Sequence, residues 1–282
     1  MCGGEERADL GMITRFAPSP TGLLHLGHAY AAWRAWEETQ QGGGVMLLRL
    51  EDIDTTRCRA HYEAGICGDL HWLGLSWPEP VWRQSERLPV YAEALARLEG
   101  LGVVYPCFCT RRELAAIDAP QGPDGPLYPG TCRGLSPAER AARMTAGAHY
   151  SLRLDVVKAA RLTGPLTWID LDRGLQRTQP ELLDDVVLAR KDIATSYHLA
   201  VTVDDAAQHI TVVTRGEDLF ASTHIHRLLQ ALLGLPVPVW RHHRLVCDAQ
   251  GKRLAKRDEA RSIRSYREAG LSPAEVRALA GH

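Results

Sequence analysis

The opening of this 282-residue chain changes periodicity in an order that few folds accept. Met12–Phe16 is a short apolar, β-prone run, and Pro18-Ser19-Pro20-Thr21-Gly22 breaks it. From Leu26 to Gln41 the pattern is helical, rich in Ala and Trp, and it stops at Gly42-Gly43-Gly44. Val45–Leu50 is then a continuous apolar run, as a strand buried in a parallel sheet requires. Strand, helix and strand at this spacing make a right-handed βαβ start to an α/β sheet of the nucleotide-binding type. Helical patterns follow at Ala60–Leu73 and Leu88–Leu101. Further strands are expected at Tyr150–Leu154, Leu166–Leu171, Asp185–Leu188, His198–Val203 and Ile210–Thr214, and helices at Ser222–Leu233 and Pro273–Ala280.

Residues from about Pro106 to Arg133 interrupt this rhythm. They hold three of the seven cysteines and the turn-rich stretch 119–126, which reads as an insertion in the sheet domain. The length suits one large domain, or one domain with an insertion. Apolar residues (45%) and charged residues (24%) are at the levels of soluble globular proteins. No low-complexity tract or repeat is evident, and no apolar run is long enough to span a bilayer. Met1–Leu10 lacks the basic and apolar regions of a secretory signal, so a cytoplasmic protein with no membrane partner is expected.

The net charge of −1 argues against a general nucleic-acid coat. Between Arg241 and Arg267, however, nine Lys/Arg stand against three acids, with His242 and His243 among them. Such a local basic run suits one polyanion bound at one place, although a solvated helix face would look the same.

The stretch Arg15-Phe-Ala-Pro-Ser-Pro-Thr-Gly-Leu-Leu-His-Leu-Gly-His28 carries the first chemistry. A strand ends, the chain turns, and a helix starts just after His25-Leu26-Gly27-His28. Free N–H groups and partial positive charge at a helix N-terminus suit phosphate. His25 and His28 share one face of the first turn and can donate to triphosphate oxygens. Gly27 lets an adenine ring approach the backbone. Two ordinary surface histidines would be the plainer reading of a lone His-x-Gly-His.

With its Ala-Pro-Ser-Pro-Thr-Gly lead, this stretch resembles the "HIGH" signature region of class I aminoacyl-tRNA synthetases, in the form used by the glutamyl group. Three further stretches match in order: Arg49-Leu-Glu-Asp-Ile-Asp54, Tyr197-His-Leu-Ala-Val-Thr-Val-Asp-Asp205 and Val213-Thr-Arg-Gly-Glu-Asp218. The "KMSKS" signature falls on Arg253, Leu254, Ala255, Lys256 and Arg257. The resemblance covers roughly Met12 to Asp258. It implies an α/β, Rossmann-type parallel-sheet catalytic domain with a zinc-bearing insertion and a short C-terminal helical segment. The expected boundaries are 11–105 and 196–240 for the two halves of the Rossmann domain. Residues 106–195 are expected to form the inserted acceptor-type subdomain, and 241–282 the signature loop and C-terminal helices.

Glutamate carries two carboxylates and one ammonium, so a pocket for it needs guanidinium forks for the side-chain carboxylate and an acid for the amine. Arg15 and Arg215 are the candidate forks. Glu51, at the C-terminal end of a strand where open α/β sheets bind ligands, is the candidate ammonium partner. Tyr197 is a candidate wall or hydroxyl contact, and a structural Glu51–arginine ion pair is the alternative. The resemblance implies glutamate contacts at these four positions and at Ala17 and Ser19. It implies ATP contacts at His25, Gly27, His28 and Lys256, with Mg²⁺ carried by ATP. A lysine loop that closes on the triphosphate stabilises the charge on departing pyrophosphate. Here Arg253 replaces the first lysine of the signature, keeping charge, and Ala255 replaces its serine, losing a hydroxyl.

Cys107 and Cys109, two apart in an extended segment, point the same way, and Cys132 lies 23 residues further on. In a cytosolic protein this cluster reads as metal before disulfide. Three thiolates suit zinc, and structural zinc takes four ligands. No histidine lies between Cys109 and Cys132, which leaves Glu113, Asp118, Asp124, Tyr128 or water as the fourth. Three reduced cysteines without metal are the plainer alternative. The resemblance implies Tyr128 and one structural zinc, because related glutamyl synthetase-like proteins place a tyrosine four residues before the last cysteine.

After Arg257, 25 residues remain, and no helical anticodon-binding region is expected among them. Within the family this architecture implies a tRNA-modifying paralogue, acting as a monomer. Such a paralogue activates L-glutamate with ATP and esterifies the queuosine base in the anticodon of tRNA(Asp), with 241–267 as a candidate surface for the anticodon arm. The alternatives are a truncated enzyme that charges tRNA(Glu) and a non-catalytic paralogue that binds glutamate or ATP.

Overall fold

The structure, a computed structural model, describes residues 11–123, 125–190, 194–247 and 261–282. In chain order its elements begin with β1 (Ile13–Phe16), α1 (Leu26–Gly42), β2 (Val45–Leu50), α2 (Ala60–Trp72), β3 (Trp82–Arg83), α3 (Leu88–Gly100) and β4 (Val104–Cys107). Next come α4 (Arg111–Ala115), β5 (Gln121–Gly122), β6 (Gly125–Pro126), α5 (Pro137–Thr145), β7 (Ser151–Leu154), α6 (Val156–Thr163), β8 (Thr167–Asp170) and β9 (Gly174–Arg177). The last are β10 (Val187–Arg190), α7 (Tyr197–Ala207), β11 (Val212–Gly216), α8 (Ser222–Leu233), β12 (Val239–His243), α9 (Ile263–Glu268) and α10 (Pro273–Leu279). They form two units. One takes in Met1–Ser85, His209–Glu217 and Pro238–His282, the other Glu86–Gln208 and Asp218–Val237.

In the first unit β1 pairs with β2, β2 with β3, and β11 with β12, all in parallel. Thr211 joins the two sets. Its N–H donates to the Ile13 carbonyl at 2.9 Å, and its hydroxyl accepts the Ile13 N–H at 2.9 Å. The chain leaves β1 toward β2 on one side and later returns beside it as β11 on the other. The strand order therefore reverses between β1 and β11, the switch point at which open α/β sheets bind ligands.

Two glycines set the start of this sheet. Gly43, at φ 65°, adopts the left-handed cap that ends α1 and donates its N–H to Thr39. A Cβ on Gly44 would lie 1.7 Å from the Met12 carbonyl, so only glycine lets the chain pass there into β2. Small residues on α1, Ala29, Ala32 and Ala35, let the helix lie close on the strands, and Thr14 Oγ1 donates to the Ala35 carbonyl at 2.8 Å. Trp33, Leu48, Leu50, Ile66 and Leu70 share one buried cluster with Ile263 of α9 and Val276 of α10. Each such aliphatic side chain contributes about 1.5–3 kcal/mol by leaving water.

In the second unit β4, β7 and β10 form an antiparallel sheet, β8 and β9 a hairpin, and α3, α7 and α8 a packed helical layer. Residues 198–203, read from sequence as a strand, lie within the helix α7. The run of Val and Thr favoured a strand, but Ser196 caps a helix there, accepting from Leu199 N–H. Residues 199–205 are buried on every side of that helix. A helix buried all round leaves no amphipathic period to read. Asp204 of α7 is fully buried and accepts from Tyr91 Oη and Arg87 Nε, each at 2.7 Å. Among the described residues no helix is long and apolar enough to cross a membrane.

Asp204→Ala leaves Tyr91 and Arg87 without this acceptor and should lower unfolding stability by about 3 kcal/mol. Urea unfolding followed by tryptophan fluorescence measures it. A loss below about 1 kcal/mol would mean that α3 and α7 are held by apolar packing alone.

Candidate active site and metal centre

Arg15 ends up buried on β1, 4% exposed, and its Nη1 donates to the Thr214 carbonyl at 3.4 Å. That contact sets it beside Arg215 of β11, 5% exposed. Both candidate forks therefore flank the switch point. Parallel pairing puts Arg215 opposite His242 of β12, and Arg215 Nε donates to His242 Nε2 at 3.3 Å. Ala17 and Ser19 are half-buried on the turn that follows β1. Glu51 follows β2 and is tied to the same turn: its N–H donates to the Pro18 carbonyl at 3.0 Å. Its carboxylate lies 3.4 Å from the guanidinium of Arg49, which is fully buried. Arg49 and Glu51 are two apart on an extended chain and share a face, so the structural ion pair is present. The pair also holds the Glu51 carboxylate at the strand end.

The acids that follow are occupied structurally. Asp52 accepts from Ser85 N–H and Oγ at 2.8 and 2.6 Å. Asp54 accepts from the Thr56 hydroxyl and Arg57 Nε, each at 2.6 Å, and these bonds hold its pKa down to about 2. Tyr197 lies in the second unit as the first residue of α7, half-buried, with its ring against those of His198 and His226. His198 Nδ1 and His226 Nε2 are 3.3 Å apart.

His25 caps α1. Its Nδ1 accepts the Gly27 N–H at 3.1 Å, and His28 Nδ1 accepts the His25 N–H at 3.2 Å. Both δ nitrogens act as acceptors, so each neutral ring carries its proton on Nε2. The cap thus fixes two imidazole donors, with ring centroids 3.8 Å apart, at the positive end of a 17-residue helix. Ile263 N–H donates to the Leu24 carbonyl at 2.8 Å, and Ser262 bridges to His25, which ties the C-terminal helices to this turn. Lys256 and the rest of Arg253–Arg257 lie outside the described residues.

Among its described residues the basic run is less open than its composition suggests. His242 and His243 are buried on β12, which the sequence reading did not separate from the run. Arg241 pairs with Glu38 at 3.1 Å, Arg267 lies 3.8 Å from Asp69, and Arg244 donates to the Gly281 carbonyl while stacking on Tyr30.

The cysteines do converge. The sulfurs of Cys107, Cys109 and Cys132 lie within 4.8 Å of one another, with Cys109 and Cys132 at 3.6 Å. Tyr128 Oη is 3.3 Å from Cys107 Sγ and 3.9 Å from Cys109 Sγ, and it accepts the Cys132 N–H at 2.8 Å. Three sulfurs thus lie close enough together to hold one metal ion, with Tyr128 Oη beside two of them. Arg153 lies over the Tyr128 ring at 3.9 Å. Burial pushes the Cys107 thiol up, but hydrogen bonds from Tyr128 and the Cys109 backbone, with Arg153 nearby, bring it below the usual thiol value. Burial and then its cysteine neighbours push Cys109 up to about 11. Asp185 braces the cluster from behind, accepting from Tyr105 Oη at 2.5 Å and from Val156 N–H at 2.9 Å.

The family described as tRNA synthetases class I (E and Q), catalytic domain, matches residues 11–280. The chain belongs to this family. A relative from Rhodobacter capsulatus named glutamyl-Q tRNA(Asp) synthetase is 52% identical, over 96% of this chain and 100% of its own length. A protein of the same name from Symbiobacterium thermophilum is 45% identical, over 93% of this chain and 83% of its own. Among solved structures, a glutamate tRNA ligase from Elizabethkingia meningosepticum, crystallised in complex with its amino acid, superposes with a TM-score of 0.70. It is 29% identical, with 88% of this chain and 52% of that one covered. This member of the class I synthetases is therefore a ligase of the glutamyl-tRNA synthetase class with the family's parallel-sheet catalytic domain.

A Cβ on Gly27 would meet His25 Cε1 at 3.0 Å and Nδ1 at 3.2 Å, so the imidazole must shift by a few tenths of an ångström from the cap. Helix propensity favours Gly27→Ala by about 1 kcal/mol, and a disturbed cap costs about as much, so stability should barely change. If His25 donates to the triphosphate, as the resemblance implies, glutamate-dependent pyrophosphate exchange should fall about tenfold. Unchanged exchange would mean that the His25 cap does not serve the reaction.

Proposed function

We propose that this chain activates L-glutamate with ATP and transfers it to the queuosine base at the wobble position of tRNA(Asp). The observation that carries this reading is the 52% identity to a glutamyl-Q tRNA(Asp) synthetase along all of that relative's length. The chemistry of the switch point supports it. Two buried guanidiniums and one acid match the charges of free glutamate. Arg15 and Arg215 hold the side-chain carboxylate, Glu51 takes the ammonium, and Ala17 and Ser19 line the turn beside it. His25 and His28 donate through Nε2 to the triphosphate, Gly27 admits the adenine, and Lys256 of the Arg253–Arg257 loop closes on the phosphates.

In the first step the glutamate α-carboxylate attacks the α-phosphate of ATP in line. A phosphorus–oxygen bond forms, another breaks, and pyrophosphate leaves. Positioning and stabilisation of phosphate charge supply the acceleration, with Mg²⁺ carried in on ATP. In the second step a hydroxyl of the queuosine cyclopentenediol attacks the mixed anhydride, forming the ester and releasing AMP. No enzyme nucleophile is required. Cys107, Cys109, Tyr128 and Cys132 hold one zinc ion, whose part is to stabilise the inserted subdomain of residues 106–195. The chain works as a cytoplasmic monomer, and its basic residues between 241 and 267 that remain accessible meet the anticodon arm.

Transfer of labelled glutamate to tRNA(Asp) with and without queuosine, with tRNA(Glu) alongside, tests the reading. Label is expected only on the queuosine-containing tRNA(Asp), surviving removal of its 3′ end. Label on the 3′ end of tRNA(Glu) would overturn it in favour of a charging enzyme.

A further inference from the structure

We infer that His242 is a positioning residue for Arg215, setting the angle at which its guanidinium meets the amino acid. This deepens the proposed glutamate pocket and rests on that reading. Residues 215 and 242 are direct partners in the parallel pairing of β11 with β12, so their side chains leave the same face of the sheet. Both are buried, at 5% and 4% exposure, and the Nε–Nε2 separation is 3.3 Å. An arginine carries no acceptor, so Arg215 must donate and His242 must accept. The accepting nitrogen requires a neutral imidazole with its proton on Nδ1.

The consequence is geometric. A guanidinium on a flexible stem can rotate about its last bonds, and a carboxylate recognises it best when both are coplanar. With Nε–H directed at His242, the plane of the guanidinium is set before any ligand arrives. A bidentate contact with a carboxylate then uses the two Nη groups at the end of the side chain. The neighbouring fork is fixed by other means, through the contact of Arg15 with the Thr214 carbonyl. The strand pair thus presents two guanidiniums, each oriented by a partner on β11 or β12.

The test is a steady-state split in pyrophosphate exchange, varying glutamate and ATP in turn. His242→Leu puts an apolar side chain of similar reach in its place and removes the acceptor. It should raise the KM for glutamate about tenfold, the worth of one charge-assisted hydrogen bond, while kcat and the KM for ATP stay within about twofold. His242→Gln returns an acceptor and should restore the glutamate KM to within about threefold of the parent. Arg215→Lys is measured alongside. If it leaves the glutamate KM unchanged, the pocket reading fails and the positioning role falls with it. If it raises that KM while His242→Leu does not, or if Leu and Gln at 242 behave alike, the pocket stands and the positioning role is wrong. Should His242→Leu not fold, His242→Asn replaces it. Its acceptor sits too close to the backbone to reach Nε, so a raised glutamate KM is expected and an unchanged one overturns the role.

Discussion

The parallel pairing of β1 with β2, together with its hydrogen bonds to Thr211, is the constraint on which the rest of the first unit depends. Ile13 exchanges hydrogen bonds with Thr211 on one side, and β1 pairs with β2 from Ile13↔Val45 to Phe16↔Leu48 on the other. Side chains alternate along a strand, so a slip of one residue would turn Arg15 away from β11 and Glu51 away from the turn at Pro18. The glycines before β2 hold that register. Gly43 ends α1 in a conformation that other residues adopt at a cost, and Gly44 has no room for a Cβ against Met12. Sheet register, helix cap and turn therefore act together, and the arginines, the acid and the two histidines all issue from one short βαβ unit and the strand beside it.

The histidines show how one local interaction serves two ends. A helix start leaves N–H groups without partners, and His25 meets one of them as a serine or aspartate would. Using Nδ1 for that purpose fixes the tautomer and turns each Nε2 into a donor. A serine cap would satisfy the helix but would present no comparable donor to an anion. On the proposed reading, stabilising the helix and preparing the anion site are the same contact, so a helix-favouring change such as Gly27→Ala is expected to separate them. The cysteine cluster follows a similar economy. Its sulfurs pack in a small cluster with Tyr105 and Tyr128, against which Phe108, Leu114 and Leu135 lie partly buried, so the groups that could hold an ion also form the local core.

What could be read from the sequence tracks how local the determining interaction is. β1, α1 and β2 were legible because breakers, periodicity and composition agree along a contiguous stretch. Ser222–Leu233 was legible as a helix for the same reason, with Gly234 ending it. The cysteine convergence was legible from the two-residue spacing of Cys107 and Cys109, which an extended chain turns to one side. The helix α7 was misread because its Val and Thr residues are buried all round and its anchor, Asp204, meets partners more than a hundred residues away. β12 was hidden inside a charged run because its two histidines look like solvent-exposed groups until the parallel pairing with β11 buries them. The Arg215–His242 contact has no sequence signature at all, since it depends on which two strands become neighbours.

The proposed reading has the chain recognise glutamate and ATP without help from nucleic acid. It is tested most directly by pyrophosphate exchange with the purified chain, ATP and glutamate in the complete absence of tRNA. Exchange that saturates with glutamate, and that is lost when aspartate replaces it, is the predicted result. Exchange that appears only when tRNA is added, or that ignores which amino acid is present, would contradict the account.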